Sequence, residues 1–216
     1  MKRVTFYVDG FNFYYGLRTV KQVDKKWYKG YWIDLVKFFG MFIGEGQILE
    51  KVIYFTASPL NREKSCHQSA FLNANKLING DKFEIVRGKY ISKEFKCPRC
   101  KYAIIRPEEK KTDVNISIRM VADCVKDVTD VVVLVSGDSD LLPPIEFIQH
   151  NYVEKQVKVF FPPSIFSRDI SGNIKAHKGK VVLLEKNYNK FVVAQMLENV
   201  TDGMSVYTKP QKWTVS

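Results

Sequence analysis

VVVLVSGDSDLLPPI, residues 131–145, is the stretch on which the fold turns. Five apolar residues, Val131 to Val135, carry no polar alternation, which reads as a strand buried on both faces and therefore a central strand of a parallel α/β sheet. The run stops at Ser136-Gly137-Asp138-Ser139-Asp140, with Gly137 expected to let the chain turn sharply. Two carboxylates two residues apart then stand at the strand's carboxyl end, the rim where open α/β sheets bind ligands. Such a pair repels itself unless a cation or basic group neutralises it. Oxygen ligands suit a hard divalent ion, Mg2+ or Mn2+. The competing explanation is an N-cap opening the helix near Pro143, and Ser139 or Asp140 can cap while Asp138 faces a metal.

Outward from that strand the pattern repeats. Val4 to Val8 is a short apolar run ending in Asp9-Gly10-Phe11-Asn12, so a second acid falls at a strand end with Asn12 three residues on. Helices are expected from Tyr14, over 31–43, over 61–78, over 113–125 and from about Pro144 to His150. In 113–125 the stripe Val114, Ile118, Val121, Ala122 and Val125 is expected to face the core. Further strands are expected at 51–56, 83–86, 157–161 and 181–184, with short helices within 164–177 and 191–197. Alternating strands and helices argue for one α/β domain with a mainly parallel sheet. That domain spans 1–200, with an irregular, cysteine-containing hairpin insertion at about 87–111 and a basic tail at 201–216.

Composition narrows the partners. The 216 residues are 45% hydrophobic, as in an ordinary globular protein, and no apolar run approaches the about 18 residues of a membrane span. The start enters a strand-like run without the longer apolar region of a signal peptide, so a cytoplasmic location without a membrane partner is expected. Lys and Arg number 34 against 23 Asp and Glu, a net +11 that favours a polyanion, nucleic acid first. A rim of acids on so basic a chain makes sense if cations fill the rim and the basic surface holds a phosphate chain. His67, His150 and His177 are scattered, which argues against a Ser-His-Asp or zinc-histidine enzyme.

FYVDGFNFYYGL, EKKTDVNISIRMVADC and VVVLVSGDSDLLPPI, in this order, resemble the NYN domain family of PIN-like nucleases, and among them the LabA-like branch. The resemblance implies a PIN-like three-layer α/β/α fold and a metal-dependent endoribonuclease, with a non-catalytic RNA-binding scaffold as the alternative. By motif, Asp9, Asp113, Asp138 and Asp140 would be the acids that hold Mg2+ or Mn2+, directly or through water. Asn12 would orient water or phosphate, and Ser136 would hydrogen-bond in the same site. The RNA would be single-stranded or structured, and a homodimer is compatible.

Two further features are open. Cys97-Pro98-Arg99-Cys100 has the spacing of half a zinc knuckle, and Cys66 with His67 would complete a structural Zn2+ site; the alternative is a tight turn with free thiols. Cys124 reads as core. For nucleic acid, Lys26, Trp27, Arg87, Lys89, Arg99, Lys110 and Lys111 are the candidates, with Lys21, Lys25 and Lys29 nearby. Cations interleaved with rings suit single strands, and Lys110 and Lys111 stand just before Asp113.

Overall fold

The computed structural model describes residues 1–96, 98–100 and 102–213, and leaves aside the side chains of 91–96 and 104–109. Strand β1 (Lys2–Asp9) leads into helix α1 (Gly10–Val23), a 3-10 segment (Lys25–Tyr31) and α2 (Leu35–Gly40). Then come β2 (Gln47–Thr56), α3 (Arg62–Asn79) and β3 (Phe83–Arg87). A hairpin of β4 (Lys89–Lys96) and β5 (Ala103–Lys110) precedes α4 (Thr112–Val125) and β6 (Val131–Val135). The chain continues through α5 (Leu142–Asn151), β7 (Gln156–Phe161), α6 (Arg168–Ala176), β8 (Lys180–Leu183), α7 (Tyr188–Val193), β9 (Asn199–Thr201) and β10 (Val206–Thr208).

Six strands form one parallel sheet in the order β3-β2-β1-β6-β7-β8. Two hydrophobic clusters cover its faces. Phe13 and Leu17 of α1, Phe38 and Phe39 of α2, Phe71 and Leu72 of α3 and Phe191 of α7 pack on one face. Ile116 and Met120 of α4, Ile145 and Ile148 of α5 and Ile170 and Ile174 of α6 pack on the other. The central strand feeds both: Val131, Val133 and Val135 enter the first cluster, Val132 and Leu134 the second. This double burial is the physical reason for its unbroken apolar run. The result is a PIN-like three-layer α/β/α fold.

The order runs outward from β1 through β2 to β3, then returns to β6 and proceeds the other way. The reversal falls between β1 and β6, and such a switch point opens a crevice at the strands' carboxyl ends. β3 ends at that rim, and β6 begins at the opposite edge. α4, which joins them through the hairpin, therefore starts at the rim, and it packs against the turn Ser139–Leu141 there.

Four local expectations are corrected. The helix expected over 31–43 shortens to α2: Asp34 caps it by accepting from the Lys37 N–H at 3.0 Å, Tyr31 ends the 3-10 segment, and Ile33 makes an isolated bridge to Gln195. In α4 the buried stripe is Thr112, Ile116, Met120, Asp123 and Cys124, while Val114, Ile118 and Val125 are exposed. A buried polar network fixes that rotation: the Tyr7 hydroxyl donates to Asp123 at 2.9 Å, and Arg119 joins Asp123 at 2.9 Å to Glu84 of β3 at 2.5 Å. The helix expected over 191–197 begins earlier and ends at Val193. Gly137 serves space and not backbone freedom, since a Cβ there would collide with Ile165. Residues 199–213 fold back, with β9 paired to β10 and Trp213 buried beside Tyr31, Trp32 and Phe71. Among the described residues no helix is long and apolar enough to cross a membrane.

Candidate active site

Asp9 ends β1 and caps α1. Its Oδ1 accepts the N–H groups of Phe11 and Asn12, each at 3.0 Å, where an acid also meets the positive end of the helix dipole. Its Oδ2 accepts the Asn12 side-chain amide at 2.6 Å and the Ser136 hydroxyl at 2.8 Å. Gly10 is required beside it, because a Cβ would lie 2.6 Å from the Phe55 carbonyl and 2.5 Å from the Tyr54 ring. The Ser136 hydroxyl oxygen in turn accepts the Asp138 N–H at 3.1 Å, and the Asn12 side-chain Oδ1 accepts the Gly137 N–H at 3.2 Å. Asp138 then caps the next turn by accepting the Asp140 N–H at 3.0 Å. The two sequence motifs are thus one hydrogen-bonded cluster across the switch point.

Burial pushes the Asp9 carboxyl above the ordinary carboxylate range, and the nearby charge of Asp138 adds to the rise. The N–H groups of Asn12 and Phe11 and the Ser136 hydroxyl oppose it. Asp138 is half-buried and Asp140 exposed, both on the outer side of this cluster. Asp113 is half-buried in the first turn of α4, the helix that packs on Ser139–Leu141. Lys111, just before it, has a left-handed backbone (φ 81°), a conformation uncommon for a residue with a side chain.

The donors at this rim are all oxygens, which fits Mg2+ or Mn2+ and not a thiophilic metal. Their present geometry is that of caps. Among the described residues no three His, Cys, Asp or Glu side chains form a group able to hold a metal, the four acids included. Asp9, a carboxylate with about four acceptor positions, already accepts four hydrogen bonds.

Among the described residues, Cys66, His67 and Cys100 form no group able to hold a metal. Cys66 and Cys100 are exposed free thiols, and the His67 ring packs on Trp213 at 5.9 Å. Cys97 lies outside the described residues. Cys124 is a buried free thiol, as its helical position implies.

Of the nucleic-acid candidates, Trp27 is corrected. It is 5% exposed, with its ring edge-on to Tyr188 and Phe191, because the 3-10 segment turns it into the core. Lys26 pairs with Asp24 at 2.7 Å on the surface. Arg87 is exposed and donates to Ser58 at 2.8 Å. Lys89, Arg99, Lys110 and Lys111 are exposed along the hairpin and its exit. These four thus lie on or beside the hairpin and its exit into α4.

Sequence reasoning missed a cavity of about 300 Å³ next to this site. It lies between α1 and the start of α3, with Gly10 and Phe11 in its wall and Trp213 across it. Its signal was present in the paired tyrosines Tyr14-Tyr15 and in the late Trp213, but only tertiary packing joins them.

An all-parallel sheet whose strand order reverses beside Asp9 defines a doubly wound α/β protein. The sequence profile of the NYN domain matches residues 3–172, and the chain belongs to the NYN domain family. A curated protein, 6-hydroxy-3-succinoylpyridine 3-monooxygenase HspA of Pseudomonas putida, is 26% identical over 245 aligned positions, covering 98% of this chain and 75% of its own. The crystal structure of a protein of unknown function from Vibrio parahaemolyticus matches with a TM-score of 0.54 at 20% identity, over 85% of this chain and 93% of that one. The latter likeness speaks for the fold alone.

Proposed function

We propose that the rim is the catalytic site of a metal-dependent endoribonuclease. One observation carries this: the ring of hydrogen bonds that ties Asp9 and Asn12 to Ser136, Gly137 and Asp138 at the switch point. Asp138 and Asp140, with Asp113 through water, would hold Mg2+ or Mn2+ once phosphate oxygens of the RNA complete the ligand set, since the carboxylates alone form no three-ligand group, and Asp9 would supply charge and orientation from behind through Ser136 and Asn12. When bound, the ion supplies charge neutralisation at the phosphate and a more acidic water. Lys110 and Lys111 would seat the phosphate chain, and the exposed cations of the hairpin would neutralise its neighbours. The net charge of +11 supports a long polyanion over a small phosphate ester.

A second reading, a non-catalytic RNA-binding scaffold, draws on the inward use of the carboxylates as caps. Cleavage of single-stranded RNA, structured RNA and DNA, assayed with Mg2+, Mn2+ or chelator, separates the two. Metal-dependent RNA products lost in Asp138→Asn support the nuclease. Salt-sensitive RNA binding without products supports the scaffold.

A further inference from the structure

The cavity beside the rim is lined by Tyr14, Tyr31, Tyr54, Phe71 and Trp213, with Arg18, Lys21, Lys64 and Lys212 around it. Tyr31 stacks on Trp213 with ring centres 5.6 Å apart and meets Tyr14 edge-on at 5.7 Å. Its volume lies at the small end of ligand pockets, enough for one or two rings.

Two features separate it from a packing gap. Tyr31 is 4% exposed, yet its hydroxyl has no hydrogen-bond partner, and neither has the buried Gln68 Oε1. The Gln68 amide is held in its orientation because its Nε2 donates to Thr56 at 2.9 Å and to the Ala57 carbonyl at 3.3 Å. Both side chains line the cavity wall, so a small shift of either brings an unpaired hydroxyl or carbonyl to the edge of a ligand. Native chains seldom leave such groups unpaired without a function.

The second feature is charge. The Lys21 ammonium lies over the rings of Tyr28 and Tyr31, 4.6 and 4.9 Å from their centres. Burial holds it below the ordinary lysine range, and the charges of Arg18 and Lys212 push the same way. The acid that approaches this group among the described residues is Glu63, 3.5 Å from Lys212 at the solvent edge. Three crowded cations over aromatic walls gain from an anion.

We propose that this cavity binds a planar heteroaromatic ring that carries an anionic group, the chemistry of a nucleotide. The ring lies among Tyr14, Tyr31 and Trp213. Its N–H edge donates to Gln68 Oε1, a ring acceptor takes the Tyr31 hydroxyl, and the anion meets Arg18, Lys21 and Lys212. The source is either a base in an RNA strand, delivered past Gly10 and Phe11 to the rim, or a free heteroaromatic acid. Binding here stands apart from cleavage.

Isothermal titration calorimetry on the full chain tests it with uridine 5′-monophosphate, nicotinate, a ten-nucleotide uridine RNA and inorganic phosphate. At least one ring-bearing anion binds, at least tenfold tighter than phosphate. The Arg18→Gln/Lys21→Gln double variant weakens it at least tenfold. Tyr31→Phe weakens it several-fold with no fall in unfolding temperature, which a purely structural hydroxyl would not produce. Asp138→Asn binds as wild type even where cleavage is lost. Preference for the oligonucleotide identifies a strand, and preference for the small anions a free ligand. The proposal is overturned if no ring-bearing anion binds, if phosphate binds equally, or if both cavity variants bind as wild type.

Discussion

Ser136 donates its hydroxyl to the Asp9 carboxylate at 2.8 Å, joining two residues 127 positions apart at the carboxyl ends of the paired strands β1 and β6. Both are almost wholly buried, so the bond is made in a low-dielectric setting where a charged acceptor gains most.

Ser136→Ala removes one of the groups that hold Asp9 ionised. The expected outcome is a loss of about 1.5–3 kcal/mol in urea unfolding, the range for hydrogen bonds to charged groups. On the nuclease reading cleavage falls, and the acid limb of its pH–rate profile moves to higher pH because Asp9 becomes harder to ionise. A rate loss without movement of that limb would assign Ser136 a structural role only.

Asp9 itself opposes folding once charged. Its folded pKa is raised, so the unfolded chain ionises first as pH climbs past about 4. In chelator, stability therefore declines from there until pH passes the folded value. Asp9→Asn removes that decline and, on the nuclease reading, abolishes cleavage. Denaturation at a series of pH values from acid to neutral gives the slope for both proteins.

Asp130 has the opposite sign. The Arg3 guanidinium donates to it at 2.9 and 3.0 Å, and the Arg3 N–H at 2.7 Å, which holds its carboxyl far below the usual range. Its contribution is present above about pH 4 and is lost as pH falls towards the folded value. Asp130→Asn therefore lowers the unfolding temperature at pH 7 and narrows the gap to wild type in strong acid.

Arg119→Ala leaves Asp123, 5% exposed, with the Tyr7 hydroxyl but no cation. Removing one partner of a buried pair costs about 3–5 kcal/mol, and the partial exposure of Arg119 puts this case near about 3. Arg119→Ala combined with Asp123→Asn recovers part of the loss. An equal or larger loss in the double variant would show that the pair is not coupled.

The sheet was legible in the sequence because its signal is local. Val131 to Val135 must be buried on both faces, and Asp9 and Asp138 stand at strand ends because their strands stop there. The rotation of α4 was not legible. Val114-Ile118-Val125 and Ile116-Met120-Cys124 are both apolar stripes, and only the Tyr7–Asp123–Arg119 contact across the sheet selects the second. Trp27 was misread as a surface ring for the same reason, since a Lys-rich neighbourhood does not reveal which side chain turns inward.

From the sequence alone came the layered α/β order and the place of Asp9 and Asp138 just at and after the ends of β1 and β6, since strand periodicity and connection length depend on neighbours in the chain. Tertiary structure alone decided that Asp9 spends its carboxylate on Asn12 and Ser136, and that Tyr31, Gln68 and Trp213 enclose a cavity with Lys21. Those depend on contacts between distant segments, whose partners are fixed only when the sheet orders β1 beside β6 and the last residues pack back over α3.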